Sequence, residues 1–194
     1  PRLEVGENVH LLPISLDAID GLMDTYNEAP EEAFEAMPWI EPWREIRPQM
    51  ISFLLETTPL SDLGDIHHWS IEHREASTSI GLIGADHMTN TPDGDYNLGY
   101  WVRSHHQRRG IAHACIDAVL RWLSHYEPEA VVEVTVDPAN TAGMATCRSM
   151  LRRWRGDTGP DNVLRLKVRG AEILHHNYLL PPSCVPSKFK EGSG

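Results

Sequence analysis

The sequence predicts one α/β (α+β) domain over residues 1–180, followed by a polar, proline-bearing tail at 181–194. Three observations predict it. The elements run strands, helix, strand, helix, strands, an order that packs as layers about one sheet. A strongly amphipathic segment at 107–126 sits between two β-rich runs. The 194 residues, 41% of them apolar, supply one proper core and are short for two.

Each element has its own signal. Val9-His10-Leu11-Leu12-Pro13-Ile14 reads as a first or edge strand stopped near Pro13. Leu16, Ile19, Leu22, Met23 and Tyr26 recur at helical spacing, with Ser15 or Asp17 near the cap. Residues 27–48 are rich in acid, proline and tryptophan and read as a loop or short helical turns over a groove; 50–55 turn helical again. Residues 66–72 alternate as a strand, and 79–90 with 96–103 read as a hairpin about Asp93-Gly94. Residues 107–126 place Ile111, Cys115, Val119, Trp122 and Tyr126 on one stripe, a helix of about five turns. A buried strand at 130–136 follows, then a helix at 141–153 with Met144, Cys147, Met150 and Leu151 as its core stripe. A turn at 157–161 leads to two last strands, 163–168 and 173–180, around Gly170.

Charge and composition narrow the function. Net charge is −11, the opposite of the basic field that nucleic-acid binding needs, so no direct nucleic-acid partner is expected. Residues 1–97 carry 4 basic and 19 acidic side chains, and 98–194 carry 13 basic and 9 acidic. The first half favours a cationic partner and the second an anionic one, although a solvated acidic surface reads the same way. No run reaches the ~18 apolar residues of a membrane-spanning helix, and no membrane association is expected. No secretory-type segment opens the chain, and a processed leader stays open. Cys115, Cys147 and Cys184 have no close pair and read as free thiols in a reducing compartment, which makes the expected location cytoplasmic. The His pairs 67–68, 105–106 and 175–176 point their members to opposite sides of a strand, so no metal site is expected.

Gln107-Arg108-Arg109-Gly110-Ile111-Ala112 is the most informative stretch. It opens the strongest helix directly after a β-rich run. A helix start exposes unpaired N–H groups and the positive end of the dipole. Gly110 lets backbone approach a ligand, and two arginines add charge, which suits a pyrophosphate. Neither the dinucleotide fingerprint nor a P-loop is present.

Together with Leu98-Gly99-Tyr100-Trp101-Val102-Arg103 before it and Val134-Thr135-Val136-Asp137-Pro138-Ala139-Asn140 after it, this stretch resembles the GCN5-related N-acetyltransferase (GNAT) superfamily. Met37-Pro38-Trp39 and the early Leu11-Leu12-Pro13-Ile14 with Asp17-Ala18 look like its RimJ/RimL-type branch, which acetylates N-terminal amines of ribosomal proteins. The resemblance implies a mixed, mostly antiparallel sheet splayed in the middle and flanked by helices. It implies acetyl-CoA as acyl donor and a peptide N-terminus or small amine as acceptor. By similarity, the backbone from Gln107 to Ala112 would bind the CoA pyrophosphate. Tyr100, Trp101 and Val102 would align the pantetheine, and Asn140 would contact its arm. Members of this branch are often dimers, so a homodimer is possible.

The catalytic residues are less legible. Relatives often carry Glu where this chain has Asn97, and a Ser where it has Gly143; Leu151 and Arg152-Arg153-Trp154-Arg155 replace a usual Leu-Gly-Phe. Glu133 reads as a base acting through water or as a polar residue at a sheet edge. His87 reads as a strand-end histidine with a suitable pKa, Tyr178 as a thiol-side acid or a core aromatic. Trp39 and Trp43 would line the acceptor groove or anchor a lid. Three readings compete: an N-acetyltransferase attacking directly in a ternary complex, a CoA-binding module of the same fold without turnover, and an unrelated α/β protein binding another phosphate compound.

Overall fold

A computed structural model of the chain describes residues 1–76, 78–158 and 162–181. The expected tail from residue 182 on, Cys184, and the centre of the expected turn at 157–161 lie outside the described residues.

The strands are β1 (Leu3–Glu4), β2 (Val9–Pro13), β3 (His67–His73), β4 (Thr78–Asp86), β5 (Tyr96–Val102), β6 (Val132–Val136), β7 (Val163–Val168) and β8 (Ala171–Leu180). The helices are α1 (Ile19–Glu28), α2 (Pro30–Ala36), α3 (Ile46–Leu63), α4 (Ile111–Tyr126) and α5 (Thr141–Trp154). All eight strands form one sheet in the order β1-β2-β3-β4-β5-β6-β8-β7. Every neighbouring pair is antiparallel except β5 and β6. The mixed, mostly antiparallel sheet flanked by helices is therefore present.

The two faces of the sheet have separate cores. Strand residues alternate between faces. Ile83, Ala85, Tyr96, Leu98, Val132 and Val134 pack on one side against Cys115, Val119 and Leu123 of α4 and Met150 and Trp154 of α5. Leu82 and Trp101 point to the other side, under Leu22 and Tyr26 of α1 and Met50 and Leu54 of α3. Asp117 binds α4 to α5, accepting from Arg153 Nε at 2.8 Å and Trp154 Nε1 at 2.7 Å. Arg153 and Trp154, which depart from the family pattern, thus close the last turn of α5 onto α4.

The short helical turns read within 27–48 are present as α2, because Pro30 starts it with a preset φ and Glu31 and Glu32 complement the dipole in its first turn. Three local readings need correction. The helix expected at 50–55 extends to Ile46–Leu63; Pro59 interrupts the sequence signal, but it only removes the donor for the Leu55 carbonyl. Helix α4 begins at Ile111, not at 107. Strands β4 and β5 do pair antiparallel as a hairpin, but β4 ends at Asp86 and not at 90, so residues 87–95 form a longer loop. The β7–β8 hairpin turns on Arg169 and Gly170, both at positive φ (49° and 84°), as a two-residue hairpin loop of this twist requires.

Candidate active site

The sheet parts where its single parallel pair ends. Strands β5 and β6 share only two rungs, Tyr96 with Val132 and Asn97 with Glu133. Beyond them the strands diverge, and their C-terminal ends lead to the starts of α4 and α5 on either lip. In open α/β sheets, ligands sit outside the carboxyl ends of strands at such a point.

The α4 lip is a bare helix start. Gly110 occupies the cap at φ 77°, in the left-handed region, and no side chain caps the helix. Arg108 is also left-handed at φ 59°. Gln107 N–H bonds Ser104 O at 3.1 Å, and Ala114 N–H is the next to be satisfied, by Gly110 O at 3.0 Å. Among the described residues the six N–H groups from Arg108 to His113 find no acceptor. Arg108, Arg109 and Gly110 are exposed and Ile111 and Ala112 half-buried. Consecutive free N–H groups, a dipole end and two guanidinium groups fit the diphosphate of a CoA.

Two acidic residues hold this loop in place. Glu32 accepts from Gln107 Nε2 at 2.7 Å and from Ser104 Oγ at 2.9 Å. Gln107 Nε2 also donates to Val102 O at 3.0 Å, so its side chain positions the loop. Glu28 accepts from Arg103 Nε at 2.5 Å and His105 N–H at 2.9 Å. Burial pushes the Glu28 carboxyl up, but Arg103 and His105 outweigh it and hold it at about 2.

The α5 lip is capped. Asn140 Oδ1 accepts from Gly143 N–H at 2.8 Å, an N-cap of the usual kind. A Cβ on Gly143 would stand 2.8 Å from Val136 Cγ2 and 2.9 Å from Asn140 Nδ2, so the missing serine has no room here. Tyr100 on β5 lies against Thr146 and Cys147 of α5, and burial and Cys147 push its hydroxyl pKa up. Trp101 and Val102 are buried, each on its own face. On the far side Arg169, at the β7–β8 tip, donates to Phe34 O and stacks over the Phe34 ring at 3.2 Å.

The expected catalytic residues do not converge. Glu133 is fully buried and holds five hydrogen bonds: from Asn90 N–H and Nδ2 at 2.7 and 2.8 Å, Thr91 N–H and Oγ1 at 3.0 and 2.6 Å, and Asn177 Nδ2 at 3.4 Å. It anchors the β4–β5 loop. His87 is exposed, bonds Asp95 O at 2.9 Å through Nδ1 and packs on the Tyr96 ring at 4.4 Å, toward the C-terminal end of α4 and away from the bare helix start. Tyr178 is 4% exposed, and its hydroxyl donates to Met144 Sδ of α5 at 3.5 Å. Trp39 stacks on Phe53 at 4.6 Å and lines a crevice of about 600 Å³ on the outer face of α3 with Glu41, Glu45 and Glu56. Trp43 is 74% exposed and does not line that crevice.

Two features escaped the sequence reading. Glu28 and Glu32 are about 70 residues before the loop they hold, and only folding brings them there. Asp86 pairs with Asn97 across β4 and β5 and is buried, with burial the main cause of its raised pKa. Its signal in the sequence was only its alternation with His87. Among the described residues no group of three or more His, Cys, Asp or Glu is placed to hold a metal ion. No helix there is long and apolar enough to cross a membrane.

A splayed sheet with a bare, basic helix start on one lip is the arrangement of an acetyltransferase domain, with room for an anionic ligand at the parting. The chain belongs to the acetyltransferase (GNAT) domain family, whose model matches residues 8–150. The fold is similar to that of the ribosomal-protein-S5-alanine acetyltransferase of Vibrio fischeri (15% identity, 92% of this chain and 96% of that one, TM-score 0.72). It is similar also to a Salmonella typhimurium acetyl transferase that modifies the N-terminal serine of a 50S ribosomal subunit protein (12%, 92% and 98%, TM-score 0.75). A third similar structure is the microcin C7 self-immunity acetyltransferase MccE, in complex with acetyl-CoA and AMP (15%, 90% and 93%, TM-score 0.70). A search of curated protein sequences finds no match.

Proposed function

We propose that this chain moves the acetyl group of acetyl-CoA onto a primary amine, the N-terminal α-amine of a protein or a small amine. The observation that carries the reading is the run of six free N–H groups from Arg108 to His113 at the mouth of the parted sheet. Arg108, Arg109 and the backbone through Ala112 would hold the diphosphate of the donor, with the strand from Gly99 to Val102 along its arm. Acetyl-CoA supplies an activated acyl group with a thiolate leaving group. The remaining work is to deliver a neutral amine and to exclude water, and direct attack in a ternary complex needs no covalent residue. One similar structure modifies the N-terminal serine of a ribosomal subunit protein and another is a ribosomal-protein-S5-alanine acetyltransferase, which supports an α-amine acceptor. The acidic first half of the chain would draw in an ammonium group.

The test is CoA release from acetyl-CoA, read with a thiol reagent, over a panel of peptides with different N-termini and of small amines. Acceptor-dependent release above the hydrolysis background is expected, strongest with peptides. Binding of acetyl-CoA without release for any acceptor would turn the reading to a CoA-binding module.

A further inference from the structure

We propose, on the transferase reading above, that Asp86 is the base that takes the proton from the acceptor amine. Three polar residues stand in one row across the sheet: Asp86 on β4 pairs with Asn97 on β5, and Asn97 with Glu133 on β6. That row is the last rung before β5 and β6 part. Its neighbours Ala85, Leu98, Val132 and Val134 belong to the core beneath α4, so the alternation of strands puts the row on the opposite face. It is the face of α1, α2 and α3, away from the helix starts that would hold the donor's diphosphate.

Only one of the three can accept a proton there. Asn97 is an amide with no basic lone pair at neutral pH. Glu133 has both oxygens saturated by Asn90, Thr91 and Asn177. Asp86 Oδ1 accepts from Met88 N–H at 2.9 Å, while Oδ2 has no partner among the described residues and is not a sealed atom. The residue keeps 8% of its surface exposed. The groups around it reinforce the assignment. From β5 it meets uncharged Asn97 and, one strand further, the saturated Glu133. His68 on β3 is half-buried, and desolvation with the neighbouring His67 holds it at about 4. His87 follows it on the chain and lowers the carboxyl pKa, as does the Met88 N–H, but burial outweighs both.

The step balances as follows. The ammonium gives one proton to the Asp86 carboxylate, directly or across one water. The amine lone pair forms the N–C bond to the acetyl carbon, and the C–S bond breaks with its pair on sulfur. The surplus proton on nitrogen leaves through solvent to make the CoA thiol, and Asp86 returns its own proton to solvent. An N-terminal α-amine, with a pKa of about 7.7–8.0, gives up its proton far more readily than a lysine at about 10.4. Such a base therefore favours α-amines.

The test is Asp86→Asn, which keeps Oδ1 as acceptor for Met88 N–H. A fall in kcat/KM of about 100-fold or more is expected, with the acidic limb of its pH profile gone and acetyl-CoA affinity and Tm unchanged. A second readout needs no turnover: in wild-type protein with 13C-labelled, sequentially assigned aspartates, the Asp86 carboxyl should titrate above the ordinary ~3.9. Wild-type rate and acidic limb in Asp86→Asn, or an Asp86 carboxyl titrating at or below the ordinary value, overturns the assignment. A wild type that binds acetyl-CoA and transfers to no amine overturns the transferase reading and this one together. A wild type that transfers while tolerating Asp86→Asn overturns the base alone.

Discussion

The hydroxyl of Thr91 donates to Glu133 Oε2 at 2.6 Å. This short bond, with the backbone N–H groups of Asn90 and Thr91 on the same carboxylate, fastens the β4–β5 loop to β6 at the rung where the sheet parts. A charged acceptor that meets several donors is among the stronger polar arrangements in a protein. Removing it leaves those donors on half-buried Thr91 and exposed Asn90, and the buried Asn177 amide, without their acceptor.

Glu133→Ala is therefore expected to destabilise the fold by ~3 kcal/mol, the cost of orphaning several donors. In a chain of this size that lowers Tm by roughly 6–12 °C. Thermal unfolding followed by circular dichroism checks it. An unchanged Tm would show that the loop does not depend on this carboxylate.

Gly110→Asp should weaken acetyl-CoA binding by at least about tenfold while the fold survives. Nothing lies within 4 Å of a Cβ there, so packing tolerates the side chain. Its φ of 77° strains any L residue, and the carboxylate would face an anionic ligand. Isothermal titration calorimetry decides; equal affinity would move the diphosphate site elsewhere.

Acid should release the β5–α4 loop through Glu28. Its folded pKa of about 2 lies below the reference 4.5, so its contribution is complete above pH 4.5 and is lost as pH falls toward about 2. The wild type should lose more stability across that window than Glu28→Gln. Denaturant titrations at pH 5 and pH 3 compare the two, and parallel losses would remove Glu28 from the account.

Restoring the family serine with Gly143→Ser should not improve the enzyme. The new Cβ would sit 2.8 Å from Val136 Cγ2 and crowd the Asn140 cap, an overpacking cost of about 1–3 kcal/mol. A lower Tm with no gain in kcat is expected. A gain in kcat at unchanged Tm would mean that α5 yields more easily than its packing implies.

Cys115 and Cys147 should resist thiol reagents in the native protein. Burial pushes both thiols up to about 12, and the thiolate is the reactive form. Labelling at pH 8 followed by peptide mapping should find both unmodified until denaturant is added. Rapid native labelling of Cys147 would show that the α5 packing opens.

How much of this was legible in the sequence depends on how far apart the interacting residues stand. Helix periodicity, the buried run of β6 and the basic start of α4 are local signals, set by residues three or four apart, and they placed α1, α4, α5 and the long strands. The same locality made the proposed diphosphate cradle legible, because Arg108, Arg109 and Gly110 belong to one turn of chain. Local signals failed where they conflicted with packing: Pro48 and Pro59 masked the length of α3, and the first strand of the hairpin about Asp93-Gly94 stops at Asp86, where Glu133 holds the following loop.

The sequence by itself determined the fold class, the family and the presence of α4, all written in short-range patterns of polarity and backbone freedom. Only the tertiary structure decided what the carboxylates do. Glu133 is 42 residues from Thr91, and Glu32 is 75 from Gln107. Whether a carboxylate is saturated by donors or left with a free oxygen depends on which distant strand or loop folds against it. That is why Glu133, prominent in the sequence, proves to be an anchor, and why Asp86, beside Asn97 at the parting of the sheet, is the carboxylate left with a free oxygen.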